Sequence, residues 1–246
     1  MKLIKLDAID STNRFLKDLA KNSELENYTT VVAEEQFSGK GQMDTKWHST
    51  KGKNLLFTIY VKFDGLSLDN AAHLNFLTAS IIREELKKYC TNKGKIAIKW
   101  PNDILSFNNK IAGVLVENII KDGLIDASLI GVGLNVNETN FPDYLPKASS
   151  LAKVLGSECD KEAVLTQIVN AFSKKMTSIY IAENKIQIKE NYLKDLYKFN
   201  TPTMFKDKEG SVFMGRIETV THDGLLVVEK QDELLYKYAV KEITFL

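Results

Sequence analysis

The chain has few of the residues on which many active sites are built. It has two cysteines, Cys90 and Cys159, with no metal-ligand spacing between them. Its three histidines, His48, His73 and His222, fall on different elements, with no Cys, Asp or Glu at ligand spacing. This argues against a tetrahedral zinc site. The absence of a GxSxG elbow or a Cys–His arrangement argues against a hydrolase. No GxxxxGK[ST] phosphate loop occurs. Charge of one sign is also missing: 33 Lys and Arg against 32 Asp and Glu leave a net charge of +1. Such a molecule has no overall field for nucleic acid or a membrane surface, so any electrostatic attraction is local. No apolar run approaches the ~20 residues of a membrane helix, and the start, MKLIKLDAIDSTN, lacks the apolar core and cleavage site of a signal peptide. The expectation is a reduced, cytoplasmic protein with no nucleic-acid or membrane partner.

The 246 residues, 44% of them hydrophobic, allow one large domain or a main domain with a small companion. Lys2 to Ile9 reads as a strand. Asp10-Ser11-Thr12 then offers three capping residues before Phe15, Leu16, Leu19 and Ala20 at helical spacing. A helix start of this kind has free N–H donors, and Ser, Thr and Asn add side-chain hydrogen bonds, which suits either simple N-capping or a polar ligand group. Thr29–Glu34 and Asn54–Lys62 read as strands and Ser67–Tyr89 as an amphipathic helix, followed by a turn at Asn92-Lys93-Gly94. A hairpin over Lys99–Glu117 brings Lys99, Asn102, Asp103 and Lys110 near its ends. A strand over Leu124–Ile130 runs into Gly131-Val132-Gly133-Leu134-Asn135, where the glycines permit close backbone packing and Asn135 needs a partner, structural or bound. A short helix follows Ser149-Ser150, then one long helix over Asp160–Glu183 and another over Ile186–Lys198. From Asn200 onward, five short strands with turn signals between them suggest a small barrel, with a domain boundary near Phe199.

The most informative stretch joins two strands: a basic, glycine-punctuated loop with Gly39, Gly41 and Gly52, lysines at 40, 46, 51 and 53, and Trp47. It is either a solvated surface loop or a wrap for a small anion. With no nucleophile in sight, the polar groups fit catalysis by positioning and charge neutralisation between two substrates. Adenylate formation is such a reaction, since the attacking carboxylate is itself the nucleophile.

Six short motifs occur in one order: Asp10-Ser11-Thr12-Asn13; Glu35-Gln36 with Gly39-Lys40-Gly41; Trp47-x-Ser49-x-x-Gly52-x-Asn54-Leu55; Lys99-Trp100-Pro101-Asn102-Asp103; Lys110-Ile111-Ala112-Gly113; and Gly131-Val132-Gly133-Leu134-Asn135-Val136-Asn137. The set resembles the biotin–protein ligases (biotin–[acetyl-CoA-carboxylase] ligases) over essentially the whole chain. The resemblance implies an α+β fold: a class II synthetase-like mixed sheet with flanking helices over residues 1–199, and an SH3-like C-terminal β-barrel over 200–246. It implies two steps, formation of biotinyl-5′-AMP from biotin and ATP and transfer of biotin to a lysine of a biotin carboxyl carrier domain. Carried over by position, Ser11, Thr12, Asn13 and Gln36 bind the ureido end of biotin, and Lys40, Gly41 and Gln42 belong to the biotin- and adenylate-binding loop. Trp47 packs on the adenylate or orders the loop, while Asn102 and Asn135 contact the nucleotide. Lys110 reaches the carboxylate or the α-phosphate. Asp103 orients the incoming amine or takes its proton, and Lys99 neutralises charge. Mg²⁺ is implied by the ATP chemistry, with no protein ligand set to name. Relatives can dimerise through sheet edges, which leaves a homodimer open.

Two departures stand out. The family loop often reads GRGRxGRxW; here Lys40, Gln42 and Thr45 replace three arginines and Asp44 replaces a glycine. Lys40 keeps the charge but not the bidentate fork, and Gln42 loses both, which bears on retention of the intermediate. The second departure is that no N-terminal DNA-binding domain precedes the catalytic region, so no repressor role is expected. The rival readings are a lipoate or octanoate ligase or transferase of the same fold, and a non-catalytic ligand-binding module.

Overall fold

A computed structural model describes residues 2–42, 45–90 and 95–246. In chain order the elements are β1 (Leu3–Ile9), α1 (Thr12–Asn22), β2 (Thr30–Gln36), β3 (Leu55–Ser67), α2 (Ala71–Tyr89), β4 (Ile96–Lys99), β5 (Asp103–Ser106), β6 (Asn109–Lys121), β7 (Leu124–Leu134), α3 (Leu151–Leu155), α4 (Lys161–Lys175), α5 (Ala182–Lys194), β8 (Thr203–Asp207), β9 (Val212–Val220), β10 (Leu226–Lys230), β11 (Leu235–Tyr238) and β12 (Ile243–Phe245). Seven strands make one mixed sheet in the order β1-β2-β3-β7-β6-β5-β4. β1 and β2 run parallel, and the other neighbours are antiparallel.

The two faces of the sheet carry different loads. On one face α2, α4 and α5 bury the large core, with Phe57, Ile59, Leu74, Ile82, Phe172 and Tyr192 fully enclosed. Each such side chain is worth ~1.5–3 kcal/mol of burial. On the other face, α1 covers only part of the sheet, packing Leu16 on Val31, Tyr60, Ala127 and Leu129. Because side chains alternate along a strand, that face continues past Leu129 to Gly131 and Gly133 on β7. β6 sets Gly113 opposite Gly133 and Leu115 opposite Gly131, and β3 sets Thr58 opposite Gly131. The uncovered half of the face is therefore low, and the site lies there.

Residues 203–245 build a separate five-stranded antiparallel sheet, β11-β10-β9-β8-β12, which is the all-β unit read from the strand spacing. It shares the large core through Phe205, Ile217, Val228 and Phe245. The indole N–H of Trp100 donates to the carbonyl of Gly224 at 3.0 Å, tying the two sheets together. Both cysteines are free, and burial pushes the Cys90 thiol up to about 11. Among the described residues no helix is long and apolar enough to cross a membrane.

Three readings of the chain are corrected. The hairpin expected over Lys99–Glu117 is a three-stranded meander. β4 turns into β5 through Trp100–Asn102, with a cis Trp100–Pro101 bond, and β5 turns into β6 at Phe107-Asn108. The helix expected to run unbroken over Asp160–Glu183 stops at Lys175. A 3₁₀ turn over Met176–Tyr180 and extended Ile181 separate it from α5, which itself ends at Lys194. There the Ser178 hydroxyl donates to the Lys175 carbonyl at 2.7 Å, the local competition with helix bonding that hydroxyl residues provide. Finally, β7 continues through both glycines to Leu134, so Asn135 lies just beyond the strand. The Asn92-Lys93-Gly94 turn lies outside the described residues.

Candidate active site

Three elements converge on the bare half of the sheet. The first is the start of α1. Ser11 is the N-cap, with Oγ only 3.5 Å from the Arg14 N–H, the outer limit of a hydrogen bond. The β1–β2 ladder continues beyond both strands, Phe37 donating to Ile9 and Ser38 to Asp10. This brings Gln36 beside the helix start, where its Oε1 accepts from the backbone N–H and the hydroxyl of Thr12 at 2.7 and 3.1 Å. Thr58, rising from β3, donates to Thr12 Oγ1 and Asn13 Oδ1 at 2.8 and 2.5 Å. Asn13 in turn donates to Glu117 of β6 at 2.8 Å. Asn13 can lie on the sheet only because Gly131 has no side chain: a Cβ there would sit 2.1 Å from Asn13 Oδ1.

The second element is the glycine loop. It folds into a tight ribbon: Trp47 N–H donates to Gly39 O at 2.9 Å, Gly41 N–H to Thr45 O at 2.6 Å, and Lys40 and Lys46 pair across it. Thr45 also donates its hydroxyl to Gln42 O at 3.0 Å. Met43 and Asp44, at its centre, lie outside the described residues. The ribbon delivers the Trp47 indole flat onto the cross-strand glycine pair. A Cβ at Gly133 would lie 2.4 Å from the indole, and one at Gly113 would lie 3.1 Å from it. The GxG spacing is thus a close-packing device, one glycine for Asn13 and one for Trp47.

The third element is the β4–β5–β6 meander. Lys99 and Asp103 are cross-strand partners. Lys110 Nζ lies 2.6 Å from Asp103 Oδ1 and 5.3 Å from the Trp47 ring centroid, an ion pair and a cation–π contact on one ammonium. Lys99 Nζ lies over the Phe245 ring at 5.3 Å. Burial lowers the pKa of Lys99, Lys147 and Lys110 push it further down, and Asp103 pulls it back in part. The side-chain amide of Asn102 donates to the Val114 carbonyl, and Val114 N–H returns a bond to Asn102 O at 3.1 Å.

Between these elements lie two adjoining cavities. The first, of about 330 Å³, is lined by Ser11, Thr12, Asn13, Gln36, the loop residues Lys40–Gln42 and Thr45–Trp47, Asn102, Gly113, Gly131 and Gly133, with Val240 and Lys241 from the C-terminal sheet. The second, of about 580 Å³, has a basic and aromatic wall: Lys99, Lys147 and Lys198, with His48, Phe141, Tyr144, Tyr197 and Phe245. Lys46, Trp47, Asp103 and Lys110 line both. Of the buried polar side-chain atoms that lack a partner among the described residues, two belong to the cavity linings, Trp47 Nε1 and Asn135 Oδ1. Asn135 lines the second cavity, its amide N–H₂ donating to Ser149 O at 2.9 Å. A buried orphan donor and a buried orphan acceptor are costly unless a ligand meets them.

The model of the Biotin/lipoate A/B protein ligase family matches residues 6–135. The bifunctional ligase/repressor BirA of Bacillus spizizenii is 30% identical over 241 residues, covering 96% of this chain and 72% of that protein. The chain belongs to the biotin/lipoate A/B protein ligase family. Another relative, the biotin–[acetyl-CoA-carboxylase] ligase of Paracoccus denitrificans, is 35% identical over 171 residues, 67% of this chain and 69% of its own. The fold agrees with the biotin protein ligase of Aquifex aeolicus solved in complex with biotin and ATP, with a TM-score of 0.78 at 20% identity over 100% of this chain and 98% of that one.

In this family member every residue given a site role from the sequence lines one cavity or both. Of the residues expected at the nucleotide, Asn135 lines the second cavity, Trp47 lines both, and Lys40 and Asn102 line the first alone. Thr58, Glu117, Lys147 and the C-terminal Val240–Lys241 were not foreseen. Thr58 and Glu117 look like ordinary members of alternating strands, and Val240 and Lys241 come from a distant part of the chain. Gly113 alone carried a signal, inside the Lys110-Ile111-Ala112-Gly113 motif.

Proposed function

We propose that this chain is an ATP-dependent biotin–protein ligase, which forms biotinyl-5′-AMP and then transfers biotin to a lysine of a biotin carboxyl carrier domain. One observation carries the reading: Lys110, Asp103 and Trp47 stand at the seam of two cavities. One cavity is a slot rich in fixed hydrogen-bonding groups, and the other is a basic chamber suited to a nucleotide.

In this scheme the hydroxyls and amides of Ser11, Thr12, Asn13 and Gln36 read the ureido end of biotin. They are held by each other and by the sheet, so little ordering remains to be done on binding. The biotin carboxylate reaches the seam. There a carboxylate oxygen attacks the α-phosphorus of ATP, and the bond to the pyrophosphate oxygen breaks. Lys110 neutralises the charge that gathers on the α-phosphate. In the second step the carrier lysine amine attacks the carbonyl of the mixed anhydride, and AMP leaves. Asp103, beside Lys110, orients that amine or takes its proton. Asn135 Oδ1 accepts a hydrogen bond from the nucleotide, Trp47 covers it, and Lys99 adds charge. Among the described residues no group of three His, Cys, Asp or Glu could hold a metal ion, and Asp103 is the one carboxylate side chain described in either cavity lining. Mg²⁺, which the ATP chemistry implies, would be supplied as the counterion of the nucleotide and would offset phosphate charge alongside Lys110.

The test is pyrophosphate release from ATP with biotin, lipoate or octanoate supplied singly. Release with biotin alone is expected. Release with lipoate or octanoate instead would move the chain to the other branch of its family, and release with none would leave a binding module.

A further inference from the structure

Glu117 reaches the site without lining either cavity. On β6 it follows Gly113 and Leu115 on the cavity side of the sheet, and the register sets it opposite Leu129, beneath α1. Its two carboxylate oxygens are divided between residues one turn apart on that helix. Oε2 accepts from the Asn13 amide at 2.8 Å, and Oε1 lies 3.9 Å from Lys17 Nζ. The contact with Lys17 is open to solvent and worth little. The bond to Asn13 is of another kind, because Asn13 is only 7% exposed and lines the first cavity.

An asparagine amide has two orientations of nearly equal shape and opposite polarity, and its partners decide between them. Thr58 Oγ1 lies 2.5 Å from Asn13 Oδ1 and 2.8 Å from Thr12 Oγ1. It does not decide, because a hydroxyl both donates and accepts. With the amide reversed, Thr58 would turn its proton to Thr12 and accept from Asn13. A carboxylate only accepts, so the Asn13 group beside Glu117 is the N–H₂, and the carbonyl goes to Thr58. Gln36 is fixed differently, since its oxygen meets the Thr12 backbone N–H, which only donates. Of the two amides in the slot, one is set by backbone and the other by Glu117. The Asn13 side chain makes no other hydrogen bond among the described residues, which leaves its second N–H and a lone pair of Oδ1 for a ligand.

We propose that Glu117 is a positioning residue for substrate recognition: through its bond to Asn13 it locks that amide in one orientation, and so fixes the donor and acceptor pattern that the first cavity offers to a cyclic urea. The proposal rests on the ligase reading above, which places the ureido end of biotin at Asn13. Glu117 itself does not touch the substrate. It acts as an acceptor that no rotation can turn into a donor.

The experiment measures equilibrium binding of biotin, without ATP, to the full chain carrying Glu117→Gln, Glu117→Ala or Glu117→Lys, each alone and with Asn13→Ala. Glutamine presents either end of its own amide, so about half of the Asn13 population should reverse and the Kd for biotin should rise roughly twofold. Alanine leaves the Asn13 N–H₂ without its charged partner, and the Kd should rise roughly tenfold. Lysine only donates, so it should draw the Asn13 carbonyl to itself, reverse the amide and weaken binding more than alanine does. With Asn13→Ala in place, the three substitutions should no longer differ in their effect on biotin. The Kd for ATP should stay level for all three Glu117 variants, which separates loss of polarity from loss of fold. A Kd for biotin unchanged in Glu117→Ala would overturn the proposal. So would losses that persist in full beside Asn13→Ala, or a Glu117→Lys chain that binds biotin no worse than Glu117→Ala. Loss of ATP affinity in step with biotin affinity would overturn it too, marking Glu117 as a support of the fold. If the unaltered chain binds no biotin at all, it is the ligase reading that fails.

Discussion

The two cavities meet at Lys110 but are built by different means. The walls of the first are strand and helix-start residues that hold one another: Gln36 on Thr12, Thr58 on Thr12 and Asn13, Asn13 on Glu117. Its floor is cut from the sheet by Gly113, Gly131 and Gly133. The second has few such mutual bonds. Its wall combines lysines, aromatic side chains and an asparagine with an open acceptor. The contrast teaches a division of labour. A small, nearly neutral ring system such as biotin is told from others by groups that cannot move. A polyanion can be held by charge that need not be exactly placed, because Coulomb attraction falls off slowly with distance.

The largest expected effect removes the point the cavities share. Lys110→Ala should lower biotin-dependent pyrophosphate release by roughly 100-fold or more, since it takes away the charge at the reacting phosphate. The loss should fall on kcat, and a loss confined to either KM would assign Lys110 to one cavity alone.

Next come the glycines, which should split the two cavities. In Gly131→Ala the new Cβ meets Asn13 at 2.1 Å, so the KM for biotin should rise roughly tenfold on the scale of overpacking strain, with the KM for ATP unchanged. Gly133→Ala instead displaces Trp47, which lines both cavities, so both constants should rise. Titrating each substrate against both variants tests this, and identical profiles would dissolve the contrast.

A smaller effect belongs to the second cavity alone. Lys99 binds its proton less tightly in the folded protein than in the unfolded chain. Between its depressed pKa and the ordinary lysine value the unfolded chain holds more protons, so this group's share of stability rises with pH. Nucleotide binding wants the ammonium and runs the other way. The KM for ATP should climb as pH rises through the depressed value, earlier than a free lysine would allow, while the KM for biotin stays level. Lys99→Arg should flatten that climb, and a profile that the substitution leaves unchanged would rule Lys99 out.

The smallest effect returns to the loop. Gln42→Arg restores a charge that relatives often carry and should slow escape of biotinyl-AMP a few-fold, read in single turnovers.

Much of this was legible in the chain. The strand and helix periodicities located nearly every element, because each buries one face against the same core. The capping run at Asp10–Asn13 and the two β7 glycines marked their own backbone demands. What stayed hidden were facts of register and distance. Nothing local says that Thr58 faces Gly131 rather than the large core, since a shift of one residue would reverse it. Nothing local joins Lys241 to Lys40, because one sits in a turn of the second sheet and the other in a loop of the first. The break after Lys175 was missed because Met176 and Ile179 keep a helical spacing of apolar residues while Ser178 diverts the backbone. Asn102 was expected at the nucleotide from its motif, and nothing local in the sequence shows the bond its amide makes to Val114 O on β6.

The glycine pair beneath Trp47 has an optical consequence. The chain has two tryptophans, and each sits at a different junction: Trp100 between the two sheets, Trp47 on bare backbone at the seam of the cavities. The Trp47 ring feels the Lys110 ammonium at 5.3 Å, and its buried N–H has no partner among the described residues. Any ligand that draws the ammonium away, or meets that N–H, changes the field across the indole. With Trp100 replaced by phenylalanine, the colour of the remaining emission would report occupancy of the site in real time, without a label.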